Sequence, residues 1–190
     1  MEKEQLAEFL NHYLSLATLI GGIVVLALVI FVIYLSAQAG KNVKGEKSKQ
    51  LNCLAKNSLL IGFVVALFGS ALTLFYSEYL GYVPCDLCWY QRIFLYPQIF
   101  IFGLALWKKD FSIHLYTLAL SLIGLVIAIY HHMLQIGYDM YKPCSDALFA
   151  VDCAKPSFIE YGFVTFPFMA VVLFTFLAIL SFVAIKFSKK

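Results

Sequence analysis

Residues 84–92 read PCDLCWYQR and place two thiols, Cys85 and Cys88, at the spacing that closes a small disulfide ring. A pair so placed can pass between dithiol and disulfide. The thiolate is the reacting form, and it is favoured by nearby cations or by the unpaired N–H groups of a helix N-terminus. Pro84, with no N–H to donate, suits a helix start at this point. The apolar run IFLYPQIFIFGLALW follows directly. Zinc would need Cys144 and Cys153 as its other ligands. Eight residues separate those two, whereas structural zinc sites use short spacings in both halves, so no metal is expected.

Arg92, the only arginine in the chain, lies four residues after Cys88, on the same helical face and one turn deeper. A cation near the bilayer centre costs roughly 2.5 to 3.5 kcal/mol on insertion scales, less toward the interface, so an ionisable residue there is a functional candidate. An arginine that only snorkelled to phosphate headgroups could be a lysine, and this chain uses lysine everywhere else. A planar guanidinium suits an oxygen acceptor, such as the carbonyl of a bound ring, and can stabilise a thiolate or developing oxyanion. Gln91 and Tyr90 add polarity beside it. Further on, in IYHHMLQIGY, His131 and Gln135 are four apart and share a helical face. His131 and His132 are adjacent, so only one of them faces inward. With Arg92 and the dithiol at the same depth, His131 is the second candidate donor around a redox ligand. Cys144 and Cys153 read equally well as a structural bridge or as a redox couple.

These side chains must be positioned by helices in lipid. Of 190 residues, 62% are hydrophobic and 13% charged, against roughly 25% charged in soluble domains. The chain is expected to be an all-α integral membrane protein with next to no strand. Its net charge of +3 is small and scattered, which argues against a nucleic-acid partner. Five stretches, 13–37, 57–80, 89–107, 111–137 and 164–187, reach the roughly 20 apolar residues that cross a bilayer. Such uniform runs are too long for barrel strands, and a helix satisfies its own backbone. The expected architecture is a four-helix transmembrane bundle plus one extra N-terminal transmembrane helix. Residues 1–56 hold the extra helix and a basic loop, and residues 57–190 hold the bundle.

Lysine placement orients the bundle. Lys41, Lys44, Lys47, Lys49, Lys56, Lys108, Lys109, Lys186, Lys189 and Lys190 fall on one side, and Lys3, Lys142 and Lys155 on the other. The positive-inside rule therefore puts the N-terminus and both cysteine-bearing loops outside and the C-terminus in the cytoplasm. Cys53 is then cytoplasmic, and Cys85, Cys88, Cys144 and Cys153 share the side that permits disulfides. A cleaved signal peptide fits poorly. The segment before the first span is acidic, with Glu2, Glu4 and Glu8, and its apolar run exceeds the usual core of about 7 to 15 residues.

PCDLCWYQRIFLYP, HHMLQ, the later cysteine pair and YGFVTFP together resemble the disulfide bond formation protein B family, especially its BdbC-like branch, over approximately residues 57–187. The resemblance implies a four-helix bundle of the bacterial inner membrane that reoxidises a DsbA-like, thioredoxin-fold thiol oxidase. Its electrons would pass to the membrane quinone pool, ubiquinone or menaquinone, as in the relay that keeps the periplasm oxidising. By the same resemblance Cys144 exchanges with the partner, Cys153 relays to Cys85, and Cys88 faces the quinone. Arg92 matches the quinone-site arginine and His131 a histidine of that site, with Gln91 and Gln135 beside them. The extra N-terminal helix departs from the family core. A vitamin K epoxide reductase-like or other thiol-reducing conduit is the alternative, but there C-x-x-C comes late in the bundle. A scaffold or small transporter with two structural bridges is the third reading; intramembrane acids are too scarce for an ion path.

Overall fold

The computed structural model describes residues 2–37, 46–138 and 151–187. They form five helices: α1 (Glu2–Ala37), α2 (Glu46–Leu74), α3 (Asp86–Lys108), α4 (His114–Gln135) and α5 (Phe166–Phe187). A π-helical turn, Phe75–Tyr79, continues α2. Among the described residues there is no strand, and one isolated bridge joins Glu160 to Val164. The chain is thus an all-α, multi-pass membrane protein.

α1, α2, α4 and α5 are long and apolar enough to cross a membrane. The sequence led us to expect five such stretches, and α3 is not among the four. It has the length, 23 residues, or about 34 Å at 1.5 Å per residue. What it lacks is uniform hydropathy, because Asp86, Gln91, Arg92, Gln98 and Lys108 interrupt it. Arg92 and Gln98 are buried in the bundle, while Ile93, Phe100, Leu104 and Trp107 point outward. The face turned away from the bundle is therefore apolar, as lipid requires, and the polarity is internal.

Two helices begin earlier than expected. α1 starts at Glu2 rather than at residue 13, and α2 at Glu46 rather than at residue 57. The segment EKSKQLNCLAK is built almost entirely from good helix formers. Charge ends the lipid-compatible stretch there without ending the helix.

α4 packs along α5, α5 along α2, α2 along α3, and α3 along α4, which closes a four-helix ring; α1 lies outside it against α5. The ring's core joins Leu59 and Ala66 of α2, Leu95, Phe102 and Ala105 of α3, Ala128 of α4, and Phe174 and Leu177 of α5. Two phenylalanines are seated on glycines. A Cβ at Gly62 would lie 2.6 Å from the Phe102 ring, and one at Gly124 would lie 2.5 Å from the Phe174 ring. Close approach of this kind sustains helix association in lipid, where the hydrophobic effect is absent.

Buried polar pairs add interhelical bonds. Ser58 Oγ meets His114 Nε2 at 2.9 Å, Thr117 Oγ1 meets Ser181 Oγ at 2.8 Å, and Ser121 Oγ donates to Gln98 Oε1 at 3.2 Å. Each ties two helices of the ring, for about 0.6 to 2 kcal/mol per bond in lipid.

Gly124→Ala should destabilise the bundle by about 1 to 3 kcal/mol, since Phe174 is fully buried and has no room to retreat. Gly22→Ala, whose Cβ would meet Val172 at an ordinary 3.7 Å, should be neutral or stabilising. Thermal unfolding in detergent distinguishes the two; equal melting temperatures would contradict this account of the core.

Candidate redox site

The site is built where α3 begins. Cys85 is the N-cap of α3, with extended backbone dihedrals, and its carbonyl accepts the first helical bond from Trp89 N at 3.1 Å. Pro84 thus stands just before the cap. Cys88 falls in the first turn, and the two sulfurs lie 3.4 Å apart in a hydrogen-bonded pair. Both are free thiols in this structure.

His131 of α4 is fully buried and reaches the pair from the opposite helix, with Nε2 3.6 Å from Cys85 Sγ and Nδ1 3.0 Å from the amide nitrogen of Gln91. The two contacts hold the ring between Cys85 and Gln91. Gln135 Nε2 lies 3.2 Å from the same Nε2, while its Oε1 has no partner. The Gln135 amide nitrogen also donates to the Cys153 carbonyl, at 3.4 Å. His132 is directed elsewhere, 3.2 Å from Thr165 Oγ1 and against the Phe168 ring. Of the adjacent histidines, His131 is the one in the site.

The Cys85 thiol is pushed well below the ordinary thiol range. The hydrogen bond with Cys88 is the main cause, His131 assists through its hydrogen bond and charge, and burial opposes them.

The sulfurs face different surroundings. Cys85 packs with Leu87, Leu134 and Cys153 in one buried cluster. Cys153 is disulfide-bonded and almost wholly buried. Cys144 lies outside the described residues, as does the side chain of Cys53. Cys88 packs against the same cluster and, unlike Cys85, also lines a cavity of about 540 Å³ bounded by α1, α2, α3 and α5, together with Gln91 and Arg92. Arg92 is buried, donates through Nη2 to Thr73 O at 3.0 Å, and stacks over the Trp89 ring at 5.0 Å. Ser77 Oγ also donates to the Thr73 carbonyl, at 3.1 Å.

All the described candidates from the sequence therefore meet at one end of the bundle. Sequence reasoning missed the second wall. Thr73, Tyr76 and Ser77 come from the end of α2 and the π turn, and Tyr76 is buried in the cavity lining with its hydroxyl donating to Asn11 Oδ1 at 2.8 Å. In sequence Tyr76 reads as one more interfacial aromatic, and no local signal marks the π turn. The donor atoms of Cys85, Cys88 and His131 all lie within 4.8 Å of one another. In the reduced state these three could hold a soft cation, using the atoms that thiol exchange needs.

A model of the family described as disulfide bond formation protein DsbB matches residues 55–184. The chain belongs to the DsbB family. A probable disulfide formation protein from Oceanobacillus iheyensis is 40% identical over 141 residues, covering 73% of this chain and 95% of the relative. The SPbeta prophage-derived disulfide bond formation protein B of Bacillus subtilis is 42% identical over 119 residues, 63% of this chain and 79% of the relative. Disulfide bond formation protein C of the same organism is 37% identical over 123 residues, 64% of this chain and 87% of the relative. No solved structure matches. Membership assigns the chain to disulfide bond formation at a membrane.

A lowered pKa leaves Cys85 deprotonated above that value, so its thiolate should be lost only as pH falls through it. The ultraviolet thiolate absorbance of the reduced protein should therefore persist at neutral pH, where a free cysteine of pKa about 8.5 is mostly protonated. Cys85→Ser should abolish the band, and His131→Leu should move its midpoint upward. A parent midpoint like that of free cysteine would contradict the site geometry.

Proposed function

We propose that the protein is a membrane thiol oxidase that reoxidises a DsbA-like, thioredoxin-fold dithiol oxidase outside the cytoplasm and passes the electrons to membrane quinone. The acceptor is ubiquinone or menaquinone, and the reaction sustains disulfide formation in proteins exported by a bacterial cell. One observation carries this reading. The Cys85–Cys88 pair has one sulfur packed with disulfide-bonded Cys153 and the other lining an apolar cavity beside Arg92.

The cavity suits the acceptor. Its volume of about 540 Å³ lies in the range of small-molecule sites, roughly 300 to 1,000 Å³. Its largely apolar wall would take a ring and prenyl chain. Arg92 makes one hydrogen bond among the described residues, which leaves guanidinium donors for a ring oxygen.

The relay moves one electron pair by thiol exchange. A thiolate of the reduced partner attacks the Cys144–Cys153 disulfide at Cys144, and the partner's second thiol then displaces Cys144, closing the partner's own disulfide. Cys153 thiolate next attacks Cys85 of the oxidised Cys85–Cys88 bridge, and Cys88 leaves as thiolate. Cys144 displaces Cys85 from Cys153, which restores the outer bridge. Cys85 and Cys88 now hold both electrons, the state described here. The His131 ring beside Cys85 would steady its thiolate, and Cys85 would take the proton from Cys88 as that sulfur turns nucleophilic. Arg92 and Gln91 would hold the acceptor's oxygen, where negative charge develops. A quinone bound there would supply the sink, accepting two electrons and two protons as Cys85 and Cys88 rejoin in a disulfide. DsbA, at about −120 mV, is a strong oxidant, so its reoxidation needs an acceptor of this strength.

Lysine distribution supports the topology, with the N-terminus and the redox cysteines outside and the C-terminus cytoplasmic. Residues 57–190 would form the oxidase bundle, and residues 1–56 the extra helix and basic loop.

Reconstituted protein should oxidise a reduced thioredoxin-fold partner and bleach quinone stoichiometrically, and Cys85→Ser and Cys88→Ser should do neither. Arg92→Lys should lower turnover by about 10²-fold, because one ammonium does not replace the forked donors. Oxidation without quinone, net electron flow toward a substrate disulfide, or labelling of Cys85 and Cys88 from the cytoplasmic face would overturn the proposal.

A further inference from the structure

α1 lies outside residues 55–184, the part that matches the family. Yet it is not a detached anchor. Leu14, Ala17, Thr18 and Gly21 line the same cavity as Cys88 and Arg92. Their spacing of three, four and seven residues puts them on one helical face. The opposite face is lipid-exposed, with Ile23 69% accessible.

α1 is fastened near both ends and touches α5 at Gly21 and Gly22, beside Val172. Near its start, buried Asn11 Oδ1 accepts the 2.8 Å hydrogen bond of Tyr76, and Lys3 Nζ donates to Tyr79 O at 3.0 Å. Near its end, Phe31 and Val32 pack on Val183 of α5. The cavity opens in the interval between, where α1 presents Ala17, Thr18 and Gly21. Larger side chains there would fill the space. Removing α1 would leave the Arg92 side of the cavity facing lipid.

We propose that α1 is the lipid-side wall of the acceptor cavity, with Ala17, Thr18 and Gly21 determining which lipid quinones are admitted and Asn11 acting as a positioning residue through Tyr76. The proposal rests on the quinone-dependent reading above and deepens it. It gives the extra helix a role in acceptor specificity, separate from the thiol exchange at Cys85. The Asn11–Tyr76 bond matters because Tyr76 lines the cavity and belongs to the π turn next to the Thr73 carbonyl that holds Arg92. π turns within α-helices recur at functional sites.

The test uses the full chain in lipid nanodiscs and a quinone with a short alkyl tail, comparing wild type, Ala17→Phe, Gly21→Leu, Asn11→Leu and the lipid-facing control Ile23→Phe. Two rates are read: quinone reduction as a function of quinone concentration, and reduction of the protein's own disulfides by a dithiol without quinone. Ala17→Phe and Gly21→Leu should raise the quinone KM by about ten-fold or more, since they remove binding space rather than chemistry. Asn11→Leu should raise it less, and Asn11→Gln, which keeps the acceptor, should recover part of the loss. Disulfide reduction without quinone should be unchanged in all, which separates a blocked cavity from a misfolded protein. A quinone KM in Ala17→Phe and Gly21→Leu equal to that of Ile23→Phe and wild type overturns the role of α1 and leaves the oxidase reading intact. Wild type that reduces no quinone overturns both.

Discussion

The structure depends on one constraint: a sulfur pair must touch a polypeptide disulfide on one side and an apolar cavity on the other. The first turn of α3 meets it. Cys85 caps the helix with extended dihedrals and Cys88 is already helical, so the two side chains leave the backbone at different angles although their sulfurs are 3.4 Å apart. One points to the cluster of Leu87, Leu134 and Cys153, the other to the cavity. Moving the helix start by even one residue would turn both sulfurs to new surroundings.

Holding that turn in place requires polarity inside lipid, and the bundle supplies partners for the Arg92 guanidinium and the His131 ring, while Gln135 Oε1 is left without one. Arg92 is anchored on the Thr73 carbonyl and covered by Trp89, and His131 is fixed through Nδ1 by Gln91. Away from the site, the Ser58–His114, Thr117–Ser181 and Gln98–Ser121 contacts tie the ring of four helices together. A satisfied polar network rigidifies where a half-satisfied one would destabilise. Rigidity serves the chemistry, since thiol exchange and electron transfer both depend on short, fixed distances between reacting groups.

Much of this was legible in the sequence because it is local. The helix start is announced by Pro84 and C-x-x-C, the shared face of Cys88 and Arg92 follows from a four-residue spacing, and His131 with Gln135 follows from another. What required the fold was non-local. The choice of His131 over His132 depends on how α4 is rotated against α3 and α5, and no spacing within α4 records it. The reach of α2 back to Glu46 is not marked by hydropathy, because the charged residues before 57 end the apolar stretch while helix propensity continues through them. Thr73 at the end of α2 and Tyr76 in the π turn enter the site through the packing of α2 against α3, and the π turn has no signature in its residues. The hydropathy of α3 misleads in the other direction, since its polar residues lower the average while facing the bundle interior.

The division between the two sulfurs also explains how charge is handled in a low-dielectric setting. Cys85, whose thiol is pushed well below the ordinary range, lies beside His131, and Cys88 lines the cavity with the Arg92 guanidinium. In the proposed relay, negative charge would pass from Cys85 to Cys88 across their 3.4 Å gap and appear next to Arg92. Separation of the two thiols by a further turn would lose that coupling, and a lysine in place of Arg92 would supply the charge without the planar fork that can serve Thr73 and an acceptor oxygen together.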